Sequence, residues 1–267
     1  MIDPQTDPQI KYEAFRARRN AAMLAPFAPA ALVATQWVGD TAEPLEHVAG
    51  EWRMADGKVV AVGIEPSDVA ELDAGVTWVD GDLVFEPESA AIWKGKQLLA
   101  IERYGTYGLR IFDPEAPGRT SLVGIDSYSY DPAWAVTARF KLVTPAEVEI
   151  DLVNGLKVPG TVSAVFTFES GDTTATMQID AVPNEPAAVA FLDRMALEAG
   201  APLRFLPIHW PEGDEWLRDG TGTAIVDFNY ATLPPCAFSP HFMCPLPLAA
   251  NRLPFAVTAG ERAPLRN

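Results

Sequence analysis

Two cysteines and a histidine are the first residues whose types and spacing could do chemistry. Cys236, His241 and Cys244 stand in a C-x4-H-x2-C arrangement on a proline-stiffened stretch. Thiolates and imidazoles are the donors that tetrahedral zinc prefers, and His209 or Asp227 could complete such a set. The competing reading makes both cysteines small buried hydrophobes that lock the stretch onto a sheet. Cys236 with His241 also has the composition of a nucleophilic dyad. Five residues of proline-broken chain do not fix that geometry, however, and only His47, His209 and His241 are available as bases. No G-x-S-x-G elbow occurs, and Gly220-Thr221-Gly222-Thr223 lacks both the spacing and the lysine of a phosphate-binding loop. Nucleotide hydrolysis and a Rossmann cofactor are therefore set aside. Flavin stands only on analogy with small β-barrels that hold it without a linear motif.

Other candidates are ligand-binding rather than catalytic. Asp227 and Asn229 are two apart, so on one strand they share a face and could orient a ligand at a pocket mouth. The alternative is that they tie down the following proline loop through its backbone, the role short polar side chains often take. Asn251 and Arg252 divide the same way: Arg252 either clamps an anion or pairs with an acid. Arg110, Arg119 and Arg139 are exceptions in an acidic chain. Each guanidinium needs a carboxylate, with Asp113 and Glu102 the expected partners, or an anion-binding pocket.

The elements that must position these residues read mainly as strands. A helix is expected at 9–24, where Ile10, Phe15, Ala22 and Met23 recur among Arg16, Arg18 and Arg19 before Pro26. From about 31 to 180, β-branched and aromatic runs alternate with turn residues. Strands are expected at 58–64, 97–104, 108–112, 134–142, 148–153, 162–168 and 173–179. A second helix is expected at 185–199, capped by Asn184 and closed by Gly200. Strands follow at 203–208 and 223–228, and then an irregular loop at 233–251 that holds five prolines and both cysteines. Turn signals at roughly ten-residue spacing favour an antiparallel barrel or two-sheet sandwich. The expected fold is one mainly-β domain over 1–267, with an N-terminal helical arm at 1–26.

Composition bounds the partners. Acidic residues number 36 against 20 basic ones, a formal charge of −16 that repels phosphate backbones and anionic membranes. The N-terminus lacks a basic segment followed by an apolar one, and no apolar run approaches the ~20 residues of a membrane helix. The expectation is a cytoplasmic protein with reduced cysteines and neither nucleic-acid nor membrane partners.

The C-terminal run is distinctive: Val226-Asp227-Phe228-Asn229, Pro234-Pro235-Cys236-Ala237-Phe238, Cys244-Pro245-Leu246-Pro247, Asn251-Arg252-Leu253 and Ala259-Gly260-Glu261. It resembles an uncharacterised bacterial family, the domain of unknown function numbered 1684, in its DFN…PPCA…CPLP…NRL…AGE pattern over 223–262. Gly108-Leu109-Arg110, Asp113, Pro117 and Arg119 resemble that family's arginine-rich strand and turn. Tyr130-Asp131-Pro132 and Ala138-Arg139-Phe140 resemble its central strand. The resemblance implies a mainly-β domain with no established activity. The chain departs from the pattern at His209, within 208–214, and at Tyr230, which stands where the family carries a cation. If relatives hold a ligand at those positions, the departure implies that this chain has changed or lost it.

The best reading is a small-molecule-binding protein of unknown ligand, with its pocket beside the DFN strand and the Cys/Pro loop. The aromatic supply for such a pocket is Trp37, Trp52, Trp134, Trp210, Tyr230 and Phe238. The alternatives are an enzyme using the same pocket (metal- or flavin-dependent, or a hydrolase) and a structural or interaction module.

Overall fold

A computed structural model describes residues 7–180, 182, 185, 187–211 and 215–267. The chain is mainly β, in open antiparallel sheets with no closed barrel among the described residues. The sandwich expectation therefore holds over the barrel. Among the described residues no helix is long and apolar enough to cross a membrane. The chain groups into two compact units, one of Ala21–Gly124, Phe238–Phe242 and Arg266–Asn267, the other of the chain up to Asn20 with Ile125–Ala237 and Met243–Leu265.

The first unit is built from hairpins. One five-stranded sheet orders Leu32–Trp37, Thr106–Phe112, Lys96–Arg103, Ala90–Trp93 and Val69–Leu72; a second orders Glu43–Pro44, Glu51–Ala55, Lys58–Val62, Asp82–Phe85 and Val76–Val79. Their apolar faces supply one core that includes Trp52, Leu83, Phe85, Leu98, Leu109 and Ile111. Asp56-Gly57 links Ala55 to Lys58 with both φ angles positive, +50° and +75°. This two-residue loop matches the twist of the strands it joins, and it needs a residue without Cβ at its second position. The same loop recurs at Asp80-Gly81, Lys94-Gly95 and Tyr104-Gly105.

The second unit is built from long strands. A four-stranded sheet orders Thr173–Ile179, Lys157–Ser170, Ala135–Asp151 and Thr221–Asp227. The strands expected at 134–142 and 148–153 are one strand. A register shift between Leu142 and Ala146 absorbs Pro145, which cannot donate to a ladder. Ala138, Phe140, Phe166, Phe168, Met177, Ala224 and Val226 face the core, and Val189, Phe191, Leu206 and Ile208 of the hairpin Ala187–Phe191/Arg204–Ile208 join them there.

The helix expected at 185–199 is half strand. Ala187–Phe191 pairs with Arg204–Ile208, and only Arg194–Ala199 is helical. The alanine-rich composition favours helix, but Val189 and Phe191 bury with period two, and cross-strand packing overrides propensity. The helix is capped by Asp193, whose Oδ1 accepts from the Ala196 N–H at 2.9 Å, and it closes at Gly200 in the left-handed region. The cap expected at Asn184 lies outside the described residues. The N-terminal helix, Pro8–Met23, matches expectation.

Candidate functional site

Strand Thr221–Asp227 is the edge of the four-stranded sheet, and it defines the site. It pairs with Ala135–Asp151 so that Val136 faces Val226, Ala138 faces Ala224 and Phe140 faces Gly222. The Leu142 N–H donates to the Gly220 carbonyl at 2.6 Å, which fixes the phase of the ladder. Antiparallel ladders alternate bonded and non-bonded pairs. Gly222, Ala224 and Val226 therefore bond inward, while the N–H and C=O groups of Thr223 and Ile225 point away from the sheet. Those groups meet no partner among the described residues.

A cleft of about 540 Å³ runs along this edge, lined by Thr137, Thr223, Ala224, Ile225, Asp227 and Tyr230 on one side and His209, Trp210 and Pro211 on the other. The two sides part for a local reason. Phe205 exchanges both backbone hydrogen bonds with Thr232 at 2.8 Å, and the next outward-facing position is Pro207, which has no N–H to extend the ladder. Beyond it the chain continues into His209, Trp210 and Pro211 along the cleft. Trp210 stacks on Trp216 at 5.0 Å and meets Phe140 edge-on at 5.4 Å. Its indole Nε1 is a buried donor with no acceptor among the described residues.

Three sequence candidates converge at this cleft: Asp227, His209 and Tyr230. Asp227 ends the strand and caps the turn Phe228–Tyr230, its Oδ1 accepting from the Asn229 backbone N–H at 3.0 Å and Nδ2 at 2.8 Å. The expectation that Asp227 and Asn229 share one strand face is thus corrected, because the strand stops between them. Tyr230 packs edge-on against Phe15 at 4.9 Å and Tyr12 at 5.9 Å, and Tyr12 lies 5.8 Å from Tyr130. Burial, followed by the charge of Asp227, raises the phenols of Tyr230 and Tyr130 above their ordinary value. Both remain protonated donors at neutral pH.

The other candidates lie elsewhere. Asn229 is fully buried; its Oδ1 accepts from the Asp131 N–H at 3.0 Å and its Nδ2 donates to the Asp131 carbonyl at 2.9 Å. Asn251 does the same to Gln178, accepting at 2.7 Å and donating at 2.9 Å. Arg252 is exposed. Arg119 donates to the carbonyls of Leu24 and Ala25, just past the N-terminal helix, where a cation meets the negative end of the helix dipole. Arg110 lies over the Phe242 ring at 4.8 Å. The expected acidic partners are engaged by other groups: Asp113 pairs with Lys96 at 3.0 Å and Glu102 accepts from the Gly105 N–H.

The Cys/Pro loop contributes nothing to the cleft lining, which corrects the expectation that the pocket would abut it. The Cys236 N–H donates to Cys244 Sγ at 3.4 Å, and hydrogen bonding to Cys244 together with burial pushes the Cys236 thiol far above its usual range. A neutral thiol is a poor metal ligand and a poor nucleophile. The His241 carbonyl accepts from Thr35 Oγ1 at 2.8 Å in the hairpin unit. Among the described residues no group of three or more His, Cys, Asp or Glu side chains could hold a metal ion. Cys236, His241 and Cys244 do not form such a group.

Two ion pairs were not named from the sequence, one buried and one half-buried. Arg204 Nη2 meets Asp193 Oδ2 at 3.0 Å, donates to the Val257 carbonyl at 3.1 Å, and stacks over Phe191 at 5.0 Å. Arg19 Nε meets Glu261 Oε1 at 3.0 Å, while Glu261 Oε2 accepts from the Leu233 N–H at 2.6 Å. The second pair was signalled by the arginines of the N-terminal helix, which on an acidic chain are expected to meet carboxylates, and by the AGE tripeptide. Thr223 and Ile225 were also missed as cleft residues, although the apolar–polar alternation of the strand marks their outward face.

The sheet and cleft define a mainly-β protein with an open strand edge beside an aromatic wall. Residues 120–262 match the model of the family described as Protein of unknown function (DUF1684), and the chain belongs to that family. The match begins after Gly108–Arg119, the stretch whose arginines resembled the same family, and takes in the cleft strand and every C-terminal motif. No curated protein matches the chain. Among solved structures, the chain is similar to an uncharacterized protein of Haloarcula marismortui determined by solution NMR. Identity is 29%, over 52% of this chain and 76% of that one, with a TM-score of 0.41.

Proposed function

We propose that this protein binds a small molecule in the cleft beside strand Thr221–Asp227. The observation that carries the reading is convergence. One concave site of about 540 Å³ gathers a carboxylate, an imidazole, a phenol held protonated and the indole ring of Trp210. Aromatic walls with a few convergent polar groups are the usual composition of a ligand site. The other motif residues support the reading by contrast. Asn229, Asn251 and Glu261 are buried and fully engaged with backbone or arginine, so their work is structural. Tyr230, held protonated, suits hydrogen-bond donation to a ligand better than nucleophilic work.

The test is an NMR fragment screen on wild type and Ile225→Arg. Ile225 is half exposed and lines the cleft, so the arginine should obstruct it without disturbing the core. The expected result is a set of fragments that shift the Thr223, Ile225 and Trp210 indole resonances of wild type and lose at least tenfold in affinity with the variant. Fragments that bind both proteins equally, or that shift none of these signals, would contradict the reading.

A further inference from the structure

We propose that the ligand of this cleft is a short, extended, basic peptide that adds to strand Thr221–Asp227 as a further strand, an inference that rests on the cleft being the binding site. The strand's phase carries it. Thr223 and Ile225 each turn one N–H and one C=O toward the cleft, two residues apart, which is the spacing a peptide backbone needs to form a ladder.

Unprotected edges are uncommon. Folded proteins blunt them with lysines, prolines, bulges or very short strands. Thr221–Val226 has none of these devices: it carries no charge and no proline, and its register with the neighbouring strand is unbroken over seven residues. The edge is therefore left competent for pairing. On the opposite wall Pro207 supplies no N–H, and among the described residues no ladder joins that wall to the strand.

Side chains set the chemistry of the occupant. Thr223, Ile225 and Asp227 project from one face of the strand, so a peptide laid beside it places alternate side chains along that face, with Asp227 at the end. Trp210 and Tyr230 supply flat apolar walls over which a cationic side chain is attracted. The formal charge of −16 steers basic partners toward the protein and acidic ones away.

The experiment titrates the whole protein, labelled with nitrogen-15, with an acetylated and amidated Lys-Val-Thr-Val-Lys peptide. Two controls accompany it: the same peptide methylated on its central backbone nitrogens, and its Glu-Val-Thr-Val-Glu counterpart. The expected result is saturable shifts of the Thr223 and Ile225 amides, with affinity at least tenfold weaker for both controls. Equal binding of the methylated peptide would overturn strand addition, and equal binding of the acidic one would overturn the charge preference. If fragments move these amides and the basic peptide does not, the peptide inference fails while the small-molecule reading stands. If neither moves them, both fail.

Discussion

The two units reach stable β structure by different routes. In the hairpin unit, four strand pairs are joined by two-residue loops, each with a glycine in the left-handed region, so register is fixed locally by the turn. In the long-strand unit, many of the fixing interactions are made by buried polar side chains across large sequence separations. Asn229 holds Asp131, Asn251 holds Gln178, Arg204 and Asp193 both bond Val257, and the half-buried Arg19 holds Glu261. The contrast teaches that a turn can set register cheaply where strands are sequential, whereas a chain returning from far away needs buried polar clasps. The family match falls on the clasped unit, and the sequence signature is largely a record of those clasps.

Breaking a buried pair should have the largest effect. Asp193→Ala leaves the Arg204 guanidinium buried without its carboxylate and should cost roughly 3–5 kcal/mol in denaturant unfolding. An amide clasp is worth less. Asn229→Ala or Asn251→Ala strands a backbone N–H and C=O in the interior, and about 1–3 kcal/mol should be lost. If either variant unfolds with unchanged stability, the clasp account of this unit is wrong. In the hairpin unit the corresponding change is Gly57→Ala, which forces a Cβ into the left-handed region and should cost about 1 kcal/mol by the same measurement.

The smallest effect is electrostatic and local. Tyr130 and Tyr230 have raised phenol pKa values from burial and then from Asp227, so the folded state keeps protons that the unfolded chain loses near pH 10. The folded state then binds more protons, and the contribution to stability, complete below pH 10, is lost as pH rises above it. Asp227→Asn should lower both phenol titrations, read by near-ultraviolet absorbance. An unchanged titration would remove Asp227 from the electrostatics of the tyrosine group.

Much of the fold was legible because period-two burial leaves a mark. The strand at 173–179 and the helix ending before Leu24 follow directly from residue pattern. The strand at 187–191 was hidden because alanine carries no preference strong enough to signal pairing that only the distant Arg204–Ile208 provides. The site was half legible. Asp227, His209 and Tyr230 stood out by type, but the backbone groups of Thr223 and Ile225 have no signature in residue identity. Their role depends on which neighbour the strand does and does not pair with. The cysteine–histidine spacing left two readings open for the converse reason, since linear proximity says nothing about whether three side chains turn toward one point.

The most direct measurement of the central claim is amide hydrogen exchange along strand Thr221–Asp227 in the native protein. The expected pattern is alternation: Ala224 and Val226 protected by the ladder to Ala135–Asp151, with Thr223 and Ile225 exchanging at least a hundredfold faster at the open edge. Uniform protection of all four would mean that the edge is already paired, and would contradict the cleft as a binding site.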